Sequence, residues 1–365
     1  MFLKNISINN FRNIKNVNLE FSKNVNIIYG DNGNGKTNLL ETIYYTTSLK
    51  PIKKRNKLSH LINENQEYSI IESVFKNNDY SESIKIAITP QKKALIYNKN
   101  SNTNIQSYLH KFKSVLFTPD DLMIIKGEPE ARRTFFNKAI FHSNQFYYSK
   151  IIEYNKILKS RNKTLKSIFE GNKKDLELLE VLNEQFTNIS LEIYQERINY
   201  LIEYIPIWIN VINKLSNKKF SPYLVYKTDF NYKDKSEFLK KLKSKQFREI
   251  QQKRSLVGPH FDDYKILTND KEIKFFGSQG EIRLFTLAMK IAHIIYLHKI
   301  NDTYPILLLD DISSELDKSR KEYLFNFLNS IDAQIFITTT SPENIPDIKN
   351  ASFFEIIDGK INKKH

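Results

Sequence analysis

Hydrophobic and polar residues alternate near the start of the chain, in the pattern of a half-buried β-strand. Ile6 and Ile8 alternate with polar residues, and Val17, Leu19 and Phe21 repeat the pattern. An apolar run at residues 25–29 ends at a glycine, and the next apolar residues recur at helical spacing. Further short apolar runs lie at residues 70–71, 84–88, 94–97 and 115–117. The first third of the chain is therefore predicted to consist mainly of strands.

Between about residues 129 and 252 the pattern becomes long, charged and helical. Helices are predicted at residues 135–156, 176–205 and 235–252, and Gly171 is the one glycine of the region. Pro206 and Pro222 interrupt the pattern, because proline lacks the N–H that a helix interior needs. The region is therefore interpreted as an inserted helical lobe or short arm, and not as one continuous coiled coil.

Short apolar runs return after Gly258 and alternate with helical segments. They lie at residues 264–267, 306–309, 335–338 and 353–356. This alternation predicts an α/β sheet to which both ends of the chain contribute. We therefore expect residues 1–125 and 253–365 to form the two parts of one head domain, with residues 126–252 as the helical lobe.

Composition narrows the possible chemistry. The chain of 365 residues contains no cysteine, which excludes disulfides, cysteine-bound zinc and thiol catalysis and fits a reducing cytosol. Its start does not resemble a signal peptide, and no apolar run approaches the length of about 18 residues that a membrane span needs. The expected location is the cytoplasm, without a membrane partner. The net charge of +15 fits polyanion binding, but richness in Lys and Asn is also typical of AT-rich genomes.

A phosphate-binding loop is predicted directly after the run at residues 25–29. The motif G-x-x-x-x-G-K-[ST] is formed by Gly30, Asp31, Asn32, Gly33, Asn34, Gly35, Lys36 and Thr37. Glycines let such a loop curl so that its amides point at phosphate oxygens, and the following helix N-terminus adds positive potential. Lys36 can then reach the β- and γ-phosphates, and the Thr37 hydroxyl can bind Mg²⁺.

Two carboxylates follow a second apolar run. Residues 306–309 are apolar, and Asp310 and Asp311 come next. A buried parallel strand that delivers Asp310 to its carboxyl end is the second half of a phosphate-loop site, where the aspartate holds Mg²⁺. Asp311 is then placed to orient the attacking water or accept its proton. Alone, such a pair could also be a helix cap.

Between these two motifs lies a candidate signature sequence. Ser278, Gln279 and Gly280 precede an apolar helix predicted at residues 282–296. A serine and glycine at a helix start can bind an anion, although a simple helix cap is the alternative interpretation. Two more polar motifs follow the later strands: Ser314-Glu315-Leu316-Asp317 and Ile337-Thr338-Thr339-Thr340.

The order of these motifs resembles the ABC-type ATPase head, and more closely the RecF family of bacterial DNA replication and repair proteins. The similarity covers nearly the whole chain. It rests on Phe11-Arg12-Asn13, Gly33 to Asn38 with Leu40-Glu41, Thr118-Pro119-Asp120 with Lys126-Gly127 and Arg132-Arg133, Val257-Gly258-Pro259-His260 with Asp262-Asp263, and Gly277-Ser278-Gln279-Gly280. The resemblance implies an α/β fold: a P-loop ABC-type ATPase head formed by both chain ends, with an inserted helical lobe.

The resemblance also assigns roles to individual residues. Residues 30–38, with Lys36 and Thr37 foremost, would bind the phosphates of ATP, Thr37 and Asp310 would hold Mg²⁺, and Asp311 would be the hydrolytic acid. Ser278, Gln279 and Gly280 would contact the γ-phosphate held by a second subunit, so that ATP joins a head-to-tail homodimer. Arg12 is expected near the nucleotide.

By resemblance, the function is that of an ATP-dependent DNA-binding protein of recombinational repair that supports replication and the SOS response. ATP would close a dimeric clamp on double- or single-stranded DNA without sequence specificity. Weak Mg-ATP hydrolysis would open it slowly, as a switch. The clamp would help to load recombinase at gaps and junctions of single- and double-stranded DNA, with RecR and RecO as partners.

Three departures from the expected patterns bear on this interpretation. No glutamine of a Q-loop is evident near Thr118-Pro119-Asp120, and Thr339 or Thr340 stands where transporter heads carry a switch histidine. Glu281 and Ile282 occupy positions where RecF proteins often have glutamines. These changes favour slow hydrolysis.

Three alternative functions agree less well with the sequence. An ABC transporter subunit would have its signature serine much closer to the loop, whereas Lys36 and Ser278 are 242 residues apart (278 − 36). A chromosome-structuring or double-strand-break ATPase would need a far longer coiled coil or a cysteine hook. A non-hydrolysing DNA scaffold would not need Lys36, Asp310 and Asp311 together.

Two basic clusters have a DNA-binding and a bland interpretation. The first comprises Lys50, Lys53, Lys54 and Arg55, and the second comprises Lys240, Lys241, Lys243, Lys245, Arg248, Lys253 and Arg254. A solvated surface is the default interpretation of each. As phosphate contacts they would give affinity that lacks sequence specificity and falls steeply with salt.

Overall fold

The two ends of the chain fold into one unit, which comprises Met1–Asp121 and Leu297–His365, and Leu122–Tyr296 form a second unit. In this computed structural model the described residues are 1–53, 57–77, 80–229, 234–311, 317–346, 348 and 350–364. Lys54 and Arg55, and residues 314–316 of the Ser-Glu-Leu-Asp motif, lie outside the described residues.

The strands of the described residues are, in chain order, β1 (Phe2–Phe11), β2 (Ile14–Glu20), β3 (Val25–Tyr29), β4 (Ser69–Lys76), β5 (Ser81–Ile88), β6 (Lys93–Tyr97), β7 (Ser114–Phe117), β8 (Pro222–Lys227), β9 (Asp263–Thr268), β10 (Lys271–Glu272), β11 (Ile306–Leu309), β12 (Ile335–Thr339), β13 (Ala351–Ile357) and β14 (Lys360–Lys364). The α-helices are α1 (Lys36–Ser48), α2 (Ile105–Lys111), α3 (Met123–Lys126), α4 (Pro129–Ser143), α5 (Phe146–Phe169), α6 (Asp175–Ser216), α7 (Lys235–Gln252), α8 (Ile273–Phe276), α9 (Gln279–Asn301) and α10 (Lys318–Asn329).

A largely parallel sheet forms the centre of the first unit. Its strand order is β14-β13-β3-β12-β11-β7. Strand β3 pairs in parallel with both β12 and β13, and β11 pairs in parallel with β12 and β7. All four residues of β11 are buried, as are the first four of β3, so burial does not alternate along either strand. Parallel pairing brings the carboxyl ends of β3, β11 and β12 to the same edge of the sheet.

The second sheet of this unit is antiparallel, with the order β2-β1-β4-β5-β6. Its strands show the period-two burial that the sequence predicts, because Ile6, Ile8, Ile71, Ile84 and Ile86 are buried. Leu39, Leu40 and Ile43 of α1 belong to the same hydrophobic core. This core fixes α1, and therefore the loop in front of it.

The second unit contains α3 to α8, most of α9 and a small antiparallel sheet of β8, β9 and β10. The prediction that Pro206 interrupts the helical pattern is wrong, since Pro206 lies inside the 42-residue helix α6. Tyr204 and Trp208 on either side of it are fully buried, so packing holds the helix together across the missing N–H.

Two further predictions for this region need correction. The single helix predicted at residues 135–156 is two helices, because the extended backbone of Asn144 separates them and its side-chain oxygen accepts the N–H of Phe146 (3.0 Å). The predicted strand at residues 264–267 does not join the parallel sheet. It forms β9, which pairs with β8 in the second unit. Consequently residues 253–296, expected in the head, lie in the second unit.

Two buried arginines tie the helices of the second unit together. Arg161 of α5 donates to Glu249 of α7 (2.6 Å) and to Asn183 of α6 (2.8 Å). Arg197 of α6 donates to Asp262 (3.2 Å) and to the carbonyl of Pro259 (3.0 Å). Since a buried charge that loses its partner costs about 3–5 kcal/mol, these pairs fix the helical packing.

Within the described part of the chain, no helix combines the length and the apolar character that crossing a bilayer requires.

Candidate functional site

The predicted phosphate loop connects the end of β3 to the start of α1. Gly30, Gly33 and Gly35 adopt φ values of 146°, 92° and 110°. A Cβ at Gly30 would lie 2.3 Å from the carbonyl oxygen of Ile356, and one at Gly35 would lie 2.7 Å from Oδ1 of Asn13. Backbone conformation therefore requires glycine at both positions, and at Gly30 the neighbouring backbone also leaves no room for a side chain.

Asparagine side chains hold this loop in place. Asn38 donates to Asn13 Oδ1 (2.8 Å), and Asn13 donates to the carbonyl of Asn34 (3.2 Å). Asn34 in turn donates to the carbonyl of Ile356 in β13 (3.2 Å). These bonds connect the loop to the β1–β2 turn and to β13. The bracing role of Asn13 was missed from the sequence, since nothing local pairs it with residues 34 and 38.

Lys36 lies across the loop that precedes it. Its ammonium donates to the carbonyls of Gly30 (2.7 Å) and Asp31 (3.0 Å) and to Oδ1 of Asn32 (3.3 Å). Burial lowers the pKa of Lys36, and the nearby carboxylates of Asp311, Asp31 and Asp310 oppose that shift. The residue thus places a positive charge inside a ring of oxygen atoms.

Asp310 lies just beyond β11, almost buried. Its Oδ1 accepts hydrogen bonds from the hydroxyls of Thr37 and Thr338, both at 2.9 Å. Its N–H donates to the carbonyl of Phe117 at the end of β7 (2.9 Å). Burial raises the pKa of Asp310, and the two hydroxyl donors only partly counteract this. A carboxylate held in this way favours a cation beside it.

Asp311 is oriented by its own backbone. It adopts φ of 47°, and its N–H donates to the hydroxyl of Thr338 (2.9 Å). Thr338 is fully buried and is therefore bonded to both residues of the acidic pair. The sequence indicates a polar motif at residues 337–340, but only Thr339 and Thr340 were interpreted there, as switch positions. The role of Thr338 was therefore missed. Its signal was a hydroxyl at the end of an otherwise apolar strand.

These groups enclose a cavity of about 330 Å³. Its lining comprises Asn32, Gly33, Gly35, Lys36, Thr37, Asn38, Pro119, Asp310, Asp311 and Thr338. Loop amides and Lys36 offer positive potential to this cavity. Asp310 and Asp311 bring negative charge to the same cavity. This combination suits a phosphate chain and a divalent cation.

The donor set also fits Mg²⁺. Thr37 and Asp310 offer one hydroxyl and one carboxylate that already touch each other. Mg²⁺ usually takes only one or two protein ligands in such sites and completes its shell with water and phosphate oxygens. Among the described residues there is no cluster of three or more His, Cys, Asp or Glu side chains suited to a metal.

Other predicted site residues lie outside this lining. Among the described residues of the loop, Gly30, Asp31 and Asn34 shape it without lining the cavity. Arg12 is paired with the buried carboxylate of Glu41 and donates to the carbonyl of His60 (3.3 Å). Its expected position near the nucleotide stays a prediction.

The signature residues form a helix cap in the second unit. The Ser278 N–H donates to Glu281 (2.7 Å), and the Glu281 N–H donates to the Ser278 hydroxyl (3.2 Å). This reciprocal capping box begins α9 at Gln279, three residues before the predicted start. Ser278 and Gln279 are exposed. The capping role that was the alternative interpretation is present, and nucleotide contact by Ser278, Gln279 and Gly280 stays a prediction.

The structure shows which residues occupy the positions where the sequence departs from transporter heads. Pro119 lines the cavity where a Q-loop glutamine was sought. The Thr339 hydroxyl donates to the carbonyl of Ser341 (3.0 Å), and Thr340 is exposed. Asp317, the described member of its motif, caps α10 by accepting the N–H of Arg320 (3.0 Å).

Comparison with known proteins defines the class. The family model described as the RecF/RecN/SMC N terminal domain matches residues 2–359. The head of an Smc protein, solved with a domain of ScpA, has a TM-score of 0.61 at 17% identity over 100% of this chain and 98% of that chain, which shows the fold alone. The fold is therefore the expected one: α/β, with a P-loop ABC-type ATPase head formed by both chain ends and an inserted helical lobe.

Nearer relatives give the family. The DNA replication and repair protein RecF of Clostridium botulinum (strain Eklund 17B / Type B) is 36% identical over 369 residues, covering 99% of this chain and 99% of the relative. A solved structure of the recombination mediator protein RecF with ATP, in the RecFOR pathway, has a TM-score of 0.91 at 31% identity, covering 100% of this chain and 98% of that chain. The chain belongs to the RecF family.

Replacing Thr338 by Val should weaken Mg²⁺-dependent nucleotide binding. The substitution keeps the shape of the side chain but removes the hydroxyl that holds Asp310 and Asp311. Since a buried hydrogen bond to a charged group contributes about 1.5–3 kcal/mol, we expect about a 10- to 100-fold loss of affinity in calorimetric titration. Thr339→Val, on the same strand but bonded to Ser341, is the matched control. Equal effects of the two substitutions would contradict a special role for Thr338.

Replacing Asp310 by Asn should stabilise the protein in buffer free of Mg²⁺ and nucleotide. Burial raises the pKa of Asp310 in the folded state, so ionising it destabilises the wild type. That destabilisation develops as the pH rises from the ordinary carboxyl value of about 3.9 through the raised folded value. The melting temperature of the variant should therefore exceed that of the wild type at neutral pH, with the difference vanishing in acid.

Adding Mg-ATP should reverse the order of the two melting temperatures, because Asn lacks the charge that the cation needs. Asp120→Asn, at an exposed carboxylate, serves as control and should behave like the wild type. A variant that gains as much stability from Mg-ATP as the wild type would refute the assignment of Asp310.

Proposed function

We propose that this chain is an ATP-dependent, DNA-binding switch protein of DNA replication and recombinational repair. The observation that carries the proposal is that Lys36, Thr37 and Asp310 line one cavity. Asp310 lies more than 270 residues after the other two in the chain. The RecF relatives, one of which is described with ATP, support the choice of nucleotide and process.

Within the cavity, the loop amides and Lys36 bind the β- and γ-phosphates. Lys36 exchanges its present carbonyl partners for phosphate oxygens. Thr37 and Asp310 would hold Mg²⁺, which when bound neutralises charge on the phosphates and orients them.

Asp311 is the proposed hydrolytic acid. Asp311 lines the cavity, and the bond from its backbone N–H to Thr338 holds the residue in place. A water that Asp311 orients attacks the γ-phosphorus while the bond from that phosphorus to the β–γ bridging oxygen breaks, and Asp311 takes the proton of the water. The products are ADP and inorganic phosphate.

The second half of the site is proposed to come from another copy of the chain. Ser278 and Gln279 are exposed at the start of α9. A phosphate bound there would take the place of the Glu281 carboxylate that now accepts the Ser278 N–H. In this arrangement Ser278, Gln279 and Gly280 of one copy meet the γ-phosphate bound by the other, and ATP joins a head-to-tail homodimer. Arg12 approaches the nucleotide only by leaving its pairing with Glu41.

ATP is thereby proposed to close a dimeric clamp on double- or single-stranded DNA, and hydrolysis to open it. Hydrolysis is slow in this proposal, because the positions of Pro119, Thr339 and Thr340 offer no glutamine or histidine to sense the γ-phosphate. The clamp acts in the cytoplasm, helps to load recombinase at gaps and junctions with RecR and RecO, and supports the SOS response. The solved relative, described as a recombination mediator of the RecFOR pathway, supports this part of the proposal.

Lys36→Ala tests the composite site. Removing the ammonium should weaken ATP binding by about 30-fold or more, since it truncates one partner of a buried charged contact. Dimer formation that depends on Mg-ATP should then disappear in sedimentation velocity experiments. Lys50→Ala, at an exposed lysine after α1, should leave dimerisation intact. A Lys36→Ala protein that still dimerises with ATP would rule out the composite site.

Asp311→Asn tests the hydrolytic acid. The amide keeps the size of the side chain but cannot take a proton, so hydrolysis should fall by about 10²- to 10⁴-fold while ATP still binds. The ATP-dependent DNA complex should consequently last longer in filter-binding dissociation experiments. Asp302→Asn, which removes an exposed carboxylate before β11, is the control. Faster dissociation of the Asp311→Asn complex would show that Asp311 has another role.

A further inference from the structure

The positive charge of the chain is concentrated in two short stretches of the second unit. Residues 156–166 and 235–254 together contain 13 of the 56 Lys and Arg residues and 2 of the 41 Asp and Glu residues. These 31 residues therefore account for +11 of the net charge of +15. The other 334 residues are almost neutral, so a uniformly lysine-rich composition does not explain the charge.

On α5 the charges form one exposed row. Lys156, Lys159, Lys163 and Lys166 follow one another at intervals of three, four and three residues, and all four are exposed. This spacing places them on one face of the helix. Buried Tyr154, Arg161 and Leu165 occupy the opposite face.

On α7 an aromatic ring lies among the charges. Lys240, Lys243 and Phe247 are spaced by three and four residues and share the solvent face, with Arg248 beside them. Phe247 has 73% of its surface exposed, the highest value for a large hydrophobic side chain among the described residues. A ring exposed in this way offers a flat apolar face to a partner.

The two helices are fixed against each other inside the unit. The Arg161–Glu249 pair joins them, and the Lys253 ammonium lies 4.1 Å from the centre of the Phe169 ring. In the described chain no carboxylate lies within ion-pair distance of Lys156, Lys159, Lys163, Lys240, Lys243 or Arg248. The charge of this surface is therefore open to an external polyanion.

We propose that the exposed face of α7 binds DNA and that the Phe247 ring stacks on an unpaired base. The inference rests on the proposed DNA-binding function and names the surface and the strand chemistry. Lysine and arginine contacts to phosphates bind single and double strands alike, without reading sequence. A protruding ring stacks readily on an unpaired base, whereas inserting it into an intact duplex first costs the unstacking of a base step. Phe247 thereby gives this surface its preference for single-stranded or gapped DNA over intact duplex.

The phosphate contacts are tested with Lys240→Gln, Lys243→Gln and Arg248→Gln combined in the full-length protein. With Mg-ATP present, fluorescence anisotropy measures affinity for labelled oligo(dT) and for duplex across a salt series. The slope of log affinity against log salt on oligo(dT) should decrease in magnitude by about 2, as expected for three lost phosphate contacts. The matched control replaces Lys15, Lys76 and Lys92, three exposed lysines of the first unit, with Gln. An equal change in the control would overturn the proposed surface.

The stacking contact is tested with Phe247→Ala. Affinity for oligo(dT) and for gapped duplex should fall about 5- to 100-fold, the range for loss of one base–aromatic stack, while affinity for intact duplex changes less than about twofold. Phe247→Trp should restore binding. Phe146→Ala is the control, because Phe146 is also 61% exposed and also belongs to the second unit. Equal losses for the two alanine variants, or equal losses on single strand and duplex for Phe247→Ala, would overturn the stacking role.

The outcomes separate this inference from the proposed function. A wild type that binds no DNA with Mg-ATP at any salt would remove both. A wild type that binds DNA while the surface variants match their controls would remove only the inference. Variants that change the sedimentation of the DNA-free protein but not its DNA affinity would show that the face is a contact between copies of the chain, which also overturns the proposal.

Discussion

A buried carboxylate connects the phosphate-binding loop to two strands from the other end of the chain. The Asp310 side chain accepts from Thr37 and from Thr338, which lie 273 residues before it and 28 residues after it. The ionised form of Asp310 depends on those two hydroxyl donors, because burial disfavours the negative charge that a bound cation requires. The site therefore exists only when α1, β11 and β12 are assembled in register. The parallel pairing of β3 with β12 and of β12 with β11 provides that register.

How far a sequence predicts such a site depends on how local its determinants are. The phosphate loop and the acidic strand were predictable because each is a short motif with its own backbone requirement, as the glycines at positions 30 and 35 illustrate. Thr338 and Asn13 were not, since their partners are brought together only by the folded sheets. The same reason explains the wrong placement of residues 264–267: apolar runs of equal length do not reveal which strand they pair with.

The second unit is organised by charge as much as by hydrophobic packing. Arg197 donates to Asp262 and to the carbonyl of Pro259, and thus holds the segment from Gly258 to Asp263. Arg161 of α5 likewise connects that helix to α6 and α7, through its bonds to Asn183 and Glu249. Pairing the inner arginines leaves the outer lysines and arginines of α5 and α7 facing solvent. The lobe thus separates cations that stabilise the fold from cations available to a partner.

The position of β3 in its sheet has a consequence for synthesis of the protein. Strand β3 is complete at residue 29, but both strands that flank it, β12 and β13, come from residues 335–357. At about 5–20 residues per second, a ribosome needs roughly 15 to 60 seconds to make the intervening chain. During that interval both edges of β3 lack their partner strands. An unpaired strand edge can pair with the wrong segment or with another chain. Closure of this sheet must follow translation of residues 335–357, so a chain that stops before them has the complete phosphate loop but lacks both strands that flank β3.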